Sequence, residues 1–320
     1  MIVFKDVVKS YNGVIAVNKL NLTVEKGELC ILLGLSGCGK STSLNMVNKL
    51  IEADSGSIYI NGKNINEFKD EDLRRNIGYA VQSTALFPHM TVRQNISIVP
   101  KLLKWEKKKI QSRVEELLEL VGLDVKSYMG KYPNQLSGGE AQRVGVARAL
   151  AADPEILLMD EPFGALDPIN RANIQNEFLR LQEKLHKTII FVTHDMGEAM
   201  KMGDKIALMG KGKLLSYGTP KQLLMEDDNS FVKDFMGADS YINMLERYLV
   251  KEYVLPDHSN KVLPTISEKS SLKEGFSTMI NHSVDKLQVV DQSGKVLGVL
   301  RVDAILNILN EEYVRNEKIS

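Results

Sequence analysis

Along the first sixty or so positions, apolar and polar residues alternate in short runs. FKDVVKS and VNKLNLTVEKGE carry the period of two that a half-buried strand needs, and the Asn12-Gly13 pair between them predicts a turn, so this stretch reads as antiparallel strands. ELCILLG is different. Its apolar residues are continuous, as in a strand buried on both faces, and it runs straight into a glycine-rich loop, behind which KSTSLNMVNKL reads as a helix. SIYING and IGYAVQ give two more strands. From residue 91 to about 135 the apolar spacing changes to three and four, clearest in VEELLELVGL behind the lysine-rich WEKKKIQSR, which predicts a helical insert. Strands and helices then alternate through EILLMD, NRANIQNEFLRLQEKL, TIIFVTH, DMGEAMKM, KIALMG and KLLSYG, the last two joined by a short glycine turn. The pattern predicts an α/β core with an antiparallel β piece and an inserted helical piece.

A separate tail follows Phe235. Residues 241–255 read as a helical connector, after which VLPTI, SLKEGFSTMINH, DKLQVVD, VLGVLR and VDAILNIL predict strand, helix, strand, strand and helix. Leu272, Phe276, Met279 and Ile280 are expected on one helix face. This small α/β unit has no second copy behind it. The expected division is a large domain over 1–237, a linker over 238–260 and a small α/β unit over 261–320.

Composition adds boundaries. The 320 residues, 43% hydrophobic and 26% charged, can bury a full core and favour about two domains. The 41 basic and 41 acidic residues cancel, so no global field draws the chain to nucleic acid or to an anionic bilayer. Cys30 and Cys38 suggest no disulfide framework and fit a reducing cytoplasm. MIVFKDVVKSYNG lacks the apolar core of a signal peptide, and no window approaches about 18 uninterrupted apolar residues. The expectation is a chain that is neither exported nor crosses a membrane by itself.

The chemistry concentrates at a few places. In GLSGCGKST, Gly34, Gly37 and Gly39 let the backbone wrap around phosphates with its N–H groups inward. Lys40 brings a point charge to the β- and γ-phosphates, Ser41 can hold Mg²⁺, and the helix N-terminus behind them favours anions. The whole loop, Leu35, Ser36, Cys38 and Thr42 included, is therefore a candidate nucleotide contact. A glycine turn can also bind nothing, but the complete G-x-x-x-x-G-K-S between strand and helix points to a nucleoside triphosphate.

In ILLMDEP, Asp160 can bind Mg²⁺ directly or through water, while Glu161 can orient and polarise the attacking water. The alternative is a strand ending in a solvated acidic turn. His194, at the end of FVTH, stands where a group reaching the γ-phosphate should sit, though a histidine there also serves as a strand cap. Gln82, after IGYAV, has an amide able to reach the cation or the water. Tyr11 is a platform for an adenine or ordinary strand packing.

The last place is LSGGE. Ser137, Gly138 and Gly139 open a second helix and offer an anion a hydroxyl and free N–H groups. One site has no room for two such cradles. Two chains associated head to tail can each lend this cradle to the triphosphate on the other's loop, which a two-fold dimer does twice.

GLSGCGKST, Gln82, LSGGE, LMDEP, Ala165-Leu166-Asp167 and His194, in this order and spacing, resemble the ATPase subunit of an ATP-binding cassette (ABC) transporter over about residues 1–237. The resemblance implies a P-loop NTPase of ABC type with antiparallel β and helical subdomains, binding ATP with Mg²⁺ at Ser41, Gln82 and Asp160. It implies a sandwich dimer in which Tyr11 stacks on adenine, Glu161 is the catalytic base, His194 senses the γ-phosphate and Asp167 lies at the seam. Glu140 departs from the family, which most often has glutamine there, and adds a negative charge close to the shared phosphate.

The run ALFPHMTVRQNISIVPKLLKW, with DEPFGALDPI and VTHDMGEAMK, is similar to ATPases of bacterial importers of glycine betaine, carnitine, choline and related quaternary amines. The implied partners are a membrane permease, an extracytoplasmic solute-binding component and a second copy of the chain, with no nucleic acid, at the cytoplasmic side of the membrane. Exposed Leu86, Phe87, Pro88 and Met90 are expected as an apolar patch for a permease helix, or to pack against the helical insert. The tail resembles one cystathionine-β-synthase-type (CBS) repeat, which implies pairing across the dimer. Arg301 stands where a nucleotide-binding repeat usually has a hydroxyl, and Asp303 comes one position early. An ABC importer of amino acids, metals or sulfonates is the nearer alternative; a soluble ABC ATPase is the farther one, since the chain has neither a long coiled coil nor two cassettes.

Overall fold

The computed structural model describes residues 1–81, 85–164, 168–224, 239–256 and 263–314. By their contacts they form two compact units, one of Met1–His194 and Ala207–Tyr217, the other of Asp195–Ile206 and Gly218–Ser320.

In the first unit β1 (Ile2–Tyr11) and β2 (Val14–Val24) make the expected hairpin, closed by Asn12 at φ 49° and Gly13 at φ 82°, the left-handed pair that an Asn-Gly turn adopts readily. β3 (Leu29–Leu33), buried at every position, leads to α1 (Lys40–Val47). β4 (Ser55–Ile60) and β5 (Lys63–Asn64) extend the hairpin into an antiparallel sheet of order β2-β1-β4-β5.

The second sheet holds β6 (Ile77–Ala80), β7 (Ile156–Asp160), β8 (Thr188–Thr193), β9 (Lys205–Gly210) and β10 (Lys213–Gly218) in the order β10-β9-β3-β8-β7-β6. β3, β8, β7 and β6 run parallel to their neighbours, so their C-terminal ends gather along one edge, where α/β sheets carry their sites. Continuous apolar runs make sense here: Leu32, Leu158, Ile190 and Val192 are buried together, and polar residues in those strands would lose water without gaining partners.

Between β6 and β7 lies the helical insert. Its longest early helix, α2 (Lys107–Leu120), buries Ile110, Val114, Leu117 and Leu118 and leaves its lysines outside. α3 (Gly138–Leu150) carries the second glycine pair, and α4 (Pro168–Leu185) follows β7. Leu86 is buried, whereas Phe87 is 43% exposed. The apolar patch of this loop is thus smaller than its sequence suggests, because one of its apolar residues turns into the core.

In the second unit α5 (Met196–Met202) packs on the helical turns Asp239–Met244 and Leu245–Arg247. The tail sheet has the order β11 (Thr265–Ser267), β12 (Lys286–Val290), β13 (Val296–Arg301), parallel then antiparallel, with helices α6 (Leu272–His282) and α7 (Val302–Val314). Leu272, Met279, Leu287, Val289 and Leu300 form its core, joined by Leu245 and Val250 from the connector. Ile280 is 61% exposed: at eight residues from Leu272 it has rotated off the buried stripe, while Leu272 and Met279 hold it. No helix among the described residues is long and apolar enough to cross a membrane.

Candidate active site

The loop between β3 and α1 has backbone that only glycine tolerates easily. Gly34 has φ 150°, and a Cβ there would stand 2.2 Å from the Met209 carbonyl oxygen; Gly39 has φ 101°, and its Cβ would meet the Ala16 oxygen at 2.4 Å. Gly39 is also the N-cap of α1 and provides no side-chain cap, so the first-turn N–H groups remain available to an anion. Lys40 is buried, and its ammonium donates to the carbonyls of Gly34 at 2.6 Å and Leu35 at 3.0 Å. The ammonium is held inside the loop by main-chain oxygens, with no carboxylate hydrogen-bonded to it among the described residues, so its charge remains attractive to phosphate. Cys38 is buried beside it, and burial pushes its thiol pKa up. Leu35, Ser36 and Gly37 face outward.

Ser41 Oγ donates to Asp160 Oδ1 at 3.0 Å, joining the helix after the loop to the end of β7. Burial raises the Asp160 carboxyl pKa; the Ser41 bond opposes this, the neighbouring Glu161 adds to it and Lys40 opposes it. Tyr79, whose hydroxyl donates to Asn45 Oδ1 at 2.7 Å, is pushed up to about 12 by burial and by the Asp160 charge. Asp160 is therefore half-buried, with Ser41, Lys40, Tyr79 and the second carboxylate of Glu161 as its polar neighbours.

Glu161 occupies a left-handed conformation at φ 44°, unusual for a residue with a Cβ. Its N–H donates to the Val192 carbonyl at 3.0 Å and its own carbonyl accepts from Gly164 at 3.2 Å, which hold the turn. The turn aims its carboxylate at His194, with Oε1 3.1 Å from Nδ1. Strain of this kind persists where surrounding structure over-determines it, as at sites of chemistry.

Ser137 caps α3. Its hydroxyl accepts from the Glu140 N–H at 3.3 Å, and Glu140 Oε2 accepts from the Ser137 N–H at 2.7 Å, a reciprocal capping box. The other oxygen, Oε1, accepts from the Tyr128 hydroxyl at 2.6 Å. That bond first, and the Ser137 N–H second, hold the Glu140 carboxyl below its usual range. Gly138 and Gly139 stand at the first two helical positions, where the N–H groups have no partner within the helix. Among the described residues no hydrogen bond joins residues 137–140 to the loop 34–42.

Tyr11 ends β1, is exposed, and has the Lys9 ammonium 5.5 Å from its ring. Its hairpin partner β2 reaches the phosphate loop through Ala16 and Val17, which flank Gly39. Gln82 and Asp167 lie outside the described residues.

Two contributors have no signal in the sequence. Tyr128 lies twelve residues from Glu140 and meets it only through the fold of the insert. Asn95, fully buried, accepts from the Phe87 N–H and donates to the carbonyls of Phe87, Met90 and Thr91, so one amide braces the whole loop 87–91.

The family description "ABC transporter" matches residues 17–164, and "CBS domain" matches residues 250–311. The chain is 47% identical over 288 residues to the osmoprotectant import ATP-binding protein OsmV of Salmonella typhimurium, covering 89% of this chain and 74% of that protein. It is 45% identical over 306 residues to the glycine betaine/carnitine/choline transport ATP-binding protein OpuCA of Bacillus subtilis, covering 95% and 79%. Among solved structures it resembles a dimeric post-hydrolysis state of the ATP-binding cassette MJ0796 bound to ADP and Pi, with TM-score 0.62 and 32% identity over 68% of this chain and 98% of that one. The chain belongs to the ATP-binding proteins of ABC transporters, and its tail matches a CBS domain. It is an ATPase, and its fold is that of an ATP-binding cassette.

Proposed function

We propose that this ATPase energises the import of osmoprotectant quaternary amines of the glycine betaine, carnitine and choline type. It works as a peripheral subunit at the cytoplasmic face of the membrane, with a permease and an extracytoplasmic solute-binding component. The observation that carries the solute class is the extent of the similarity to OpuCA, which runs through the cassette and on into the tail, over 95% of the chain. The half-buried loop at Phe87, braced by Asn95, suits a permease helix.

Within the site, Lys40 and the free N–H groups at the start of α1 hold the phosphates, and Tyr11 carries the adenine. Ser41, Asp160 and Gln82 are an all-oxygen donor set with a single carboxylate, which fits Mg²⁺, an ion that keeps few protein ligands and shares phosphate oxygens. When bound, Mg²⁺ neutralises charge on the β- and γ-phosphates. Glu161 takes the proton of the attacking water, and His194 orients Glu161 and reads the terminal phosphate. Ser137, Gly138 and Gly139 serve the nucleotide of a second copy, so closure of the dimer and completion of the site are one event. Moving such an equilibrium from almost open to almost closed takes roughly 5.5 kcal/mol of differential binding, a demand that two shared triphosphates can meet.

Sedimentation of a Glu161→Gln chain tests the shared site. ATP is expected to shift the chain toward the dimer, and the shift is expected to vanish when Ser137→Arg is added. A Glu161→Gln chain that stays monomeric with saturating ATP would remove the sandwich from the proposal.

A further inference from the structure

Glu140 puts a negative charge at the start of α3, the helix whose first N–H groups are read above as a cradle for phosphate. It is a rival for that cradle as well as a neighbour of it. A carboxylate in the first turn of a helix is drawn to the positive end of the dipole, where Gly138 and Gly139 carry the same N–H groups that a phosphate would take.

The carboxylate is held elsewhere. Oε2 accepts from the Ser137 N–H at 2.7 Å and Oε1 from the Tyr128 hydroxyl at 2.6 Å, both short, as bonds to a charged oxygen are. The first bond belongs to the local cap. Among the described residues the second is the only hydrogen bond that reaches this carboxylate from outside α3 and its cap.

Tyr128 is itself fixed. It ends the helical turn Val125–Tyr128, whose cap Asp124 accepts from the Ser127 N–H at 2.8 Å. The residues just after it are tied to the turn Val92–Ile96: the Arg93 N–H donates to the Met129 carbonyl at 3.1 Å and the Val92 N–H to the Lys131 carbonyl at 2.8 Å. The Lys131 ammonium lies 3.8 Å from the centre of the Tyr128 ring. The hydroxyl therefore waits for Glu140 in a fixed place.

With Glu140 so held, the helix start stays open. A Cβ on Gly138 would meet nothing within 4 Å. The Ser137 hydroxyl accepts from the Glu140 N–H and keeps its own proton for an incoming oxygen.

We propose that Tyr128 is a positioning residue of the ATPase: by holding the Glu140 carboxylate back from the first turn of α3, it keeps Ser137, Gly138 and Gly139 open to the triphosphate of a second copy. This rests on the reading of those three residues given above.

The test uses the full chain in the Glu161→Gln background and reads, by sedimentation, the ATP concentration at which half of it is dimeric. ATP binding is measured beside it, at protein concentrations low enough to keep the chain monomeric. Tyr128→Phe removes one oxygen and keeps the ring. It is expected to raise the half-dimerisation concentration by about tenfold, as the loss of one bond to a charged group does. Binding of ATP by the monomer should stay within about twofold, because the two sites share no bond. Adding Glu140→Gln to Tyr128→Phe should return the value to that of Glu140→Gln alone, since a neutral amide does not repel phosphate as a carboxylate does. A merely structural tie predicts the reverse: the double variant, with both halves of the tie gone, would dimerise no better than Tyr128→Phe. If Tyr128→Phe fails to fold, Glu140→Asp decides, its shorter chain drawing the carboxylate away from the hydroxyl. Its value should then lie about tenfold above that of Glu140→Gln. An unchanged value in Tyr128→Phe overturns the role of Tyr128, and so does a raised value that Glu140→Gln does not restore. A Glu161→Gln parent that ATP does not dimerise overturns the reading of the cradle and the role of Tyr128 with it.

Discussion

The Nδ1 atom of His194 lies 3.1 Å from Oε1 of Glu161, across the C-terminal ends of the adjacent parallel strands β8 and β7. The contact gives the carboxylate a fixed direction. Glu161→Gln keeps the shape and the hydrogen-bonding oxygen but cannot take a proton from water. Phosphate release should fall by about two to four orders of magnitude, while ATP binding measured at equilibrium is retained. Loss of binding instead would make Glu161 a structural residue of the turn.

Asp160 sets stability against activity. Its folded pKa is raised above the ordinary 3.8, chiefly by burial, so ionising it costs more in the fold than in the unfolded chain. The nucleotide-free protein is favoured by this group below the ordinary value and loses that favour as pH rises through the raised one. Asp160→Asn keeps an acceptor for Ser41 and removes the charge. At pH 7 without nucleotide its melting temperature should rise by about 2–4 °C, the shift that roughly 1 kcal/mol makes in a unit of this size. Its hydrolysis should collapse, and its melting should no longer respond to Mg²⁺ added with ATP. A lower melting temperature would show that the carboxylate is well paired.

Much of this was legible in the sequence, and physics explains which part. The phosphate loop could be read because glycine, lysine and serine at that spacing have one economical use between a buried strand and a helix. Ser137 with its glycine pair could be read as a helix start for the same local reason, but its use as a cap paired with Glu140 was not. What lay hidden was set by distance along the chain: Tyr128 on Glu140, Asn95 under Phe87 and Arg247 on α5 depend on elements that meet only in the fold. The sequence also exposes Leu86 and puts Ile280 on the buried face of its helix. Hydrophobicity alone does not say which way a loop residue turns or where a helical stripe ends.

Glu140 is expected to act on stability more than on chemistry. Its folded pKa is depressed below 4.5, first by the Tyr128 hydroxyl and then by the Ser137 N–H. The stability it contributes is present above 4.5 and lost as pH falls through the folded value. Glu140→Gln, which cannot accept both bonds as a charged group, should lower stability by about 1 kcal/mol at neutral pH. Thermal melts of both chains from neutral pH downward should show the difference shrink below 4.5. A difference that grows on acidification would contradict the capping role.

Gly39→Ala tests the tightness of the phosphate loop. The new methyl would lie 2.4 Å from the Ala16 oxygen with φ near 101°, so the loop must open. About 1–3 kcal/mol of destabilisation is expected, together with loss of ATP binding. Normal ATP affinity in this variant would mean that the loop tolerates a wider conformation than the fold indicates.

Solute uptake bears most directly on what this ATPase is for. The chain should be reconstituted with its permease and solute-binding component in liposomes loaded with ATP, and uptake of labelled glycine betaine, carnitine and choline followed beside ATP hydrolysis. ATP-dependent accumulation of at least one of these amines, abolished by Glu161→Gln, is the expected result. Hydrolysis that responds to the solute-binding component while none of the three amines accumulates would contradict it.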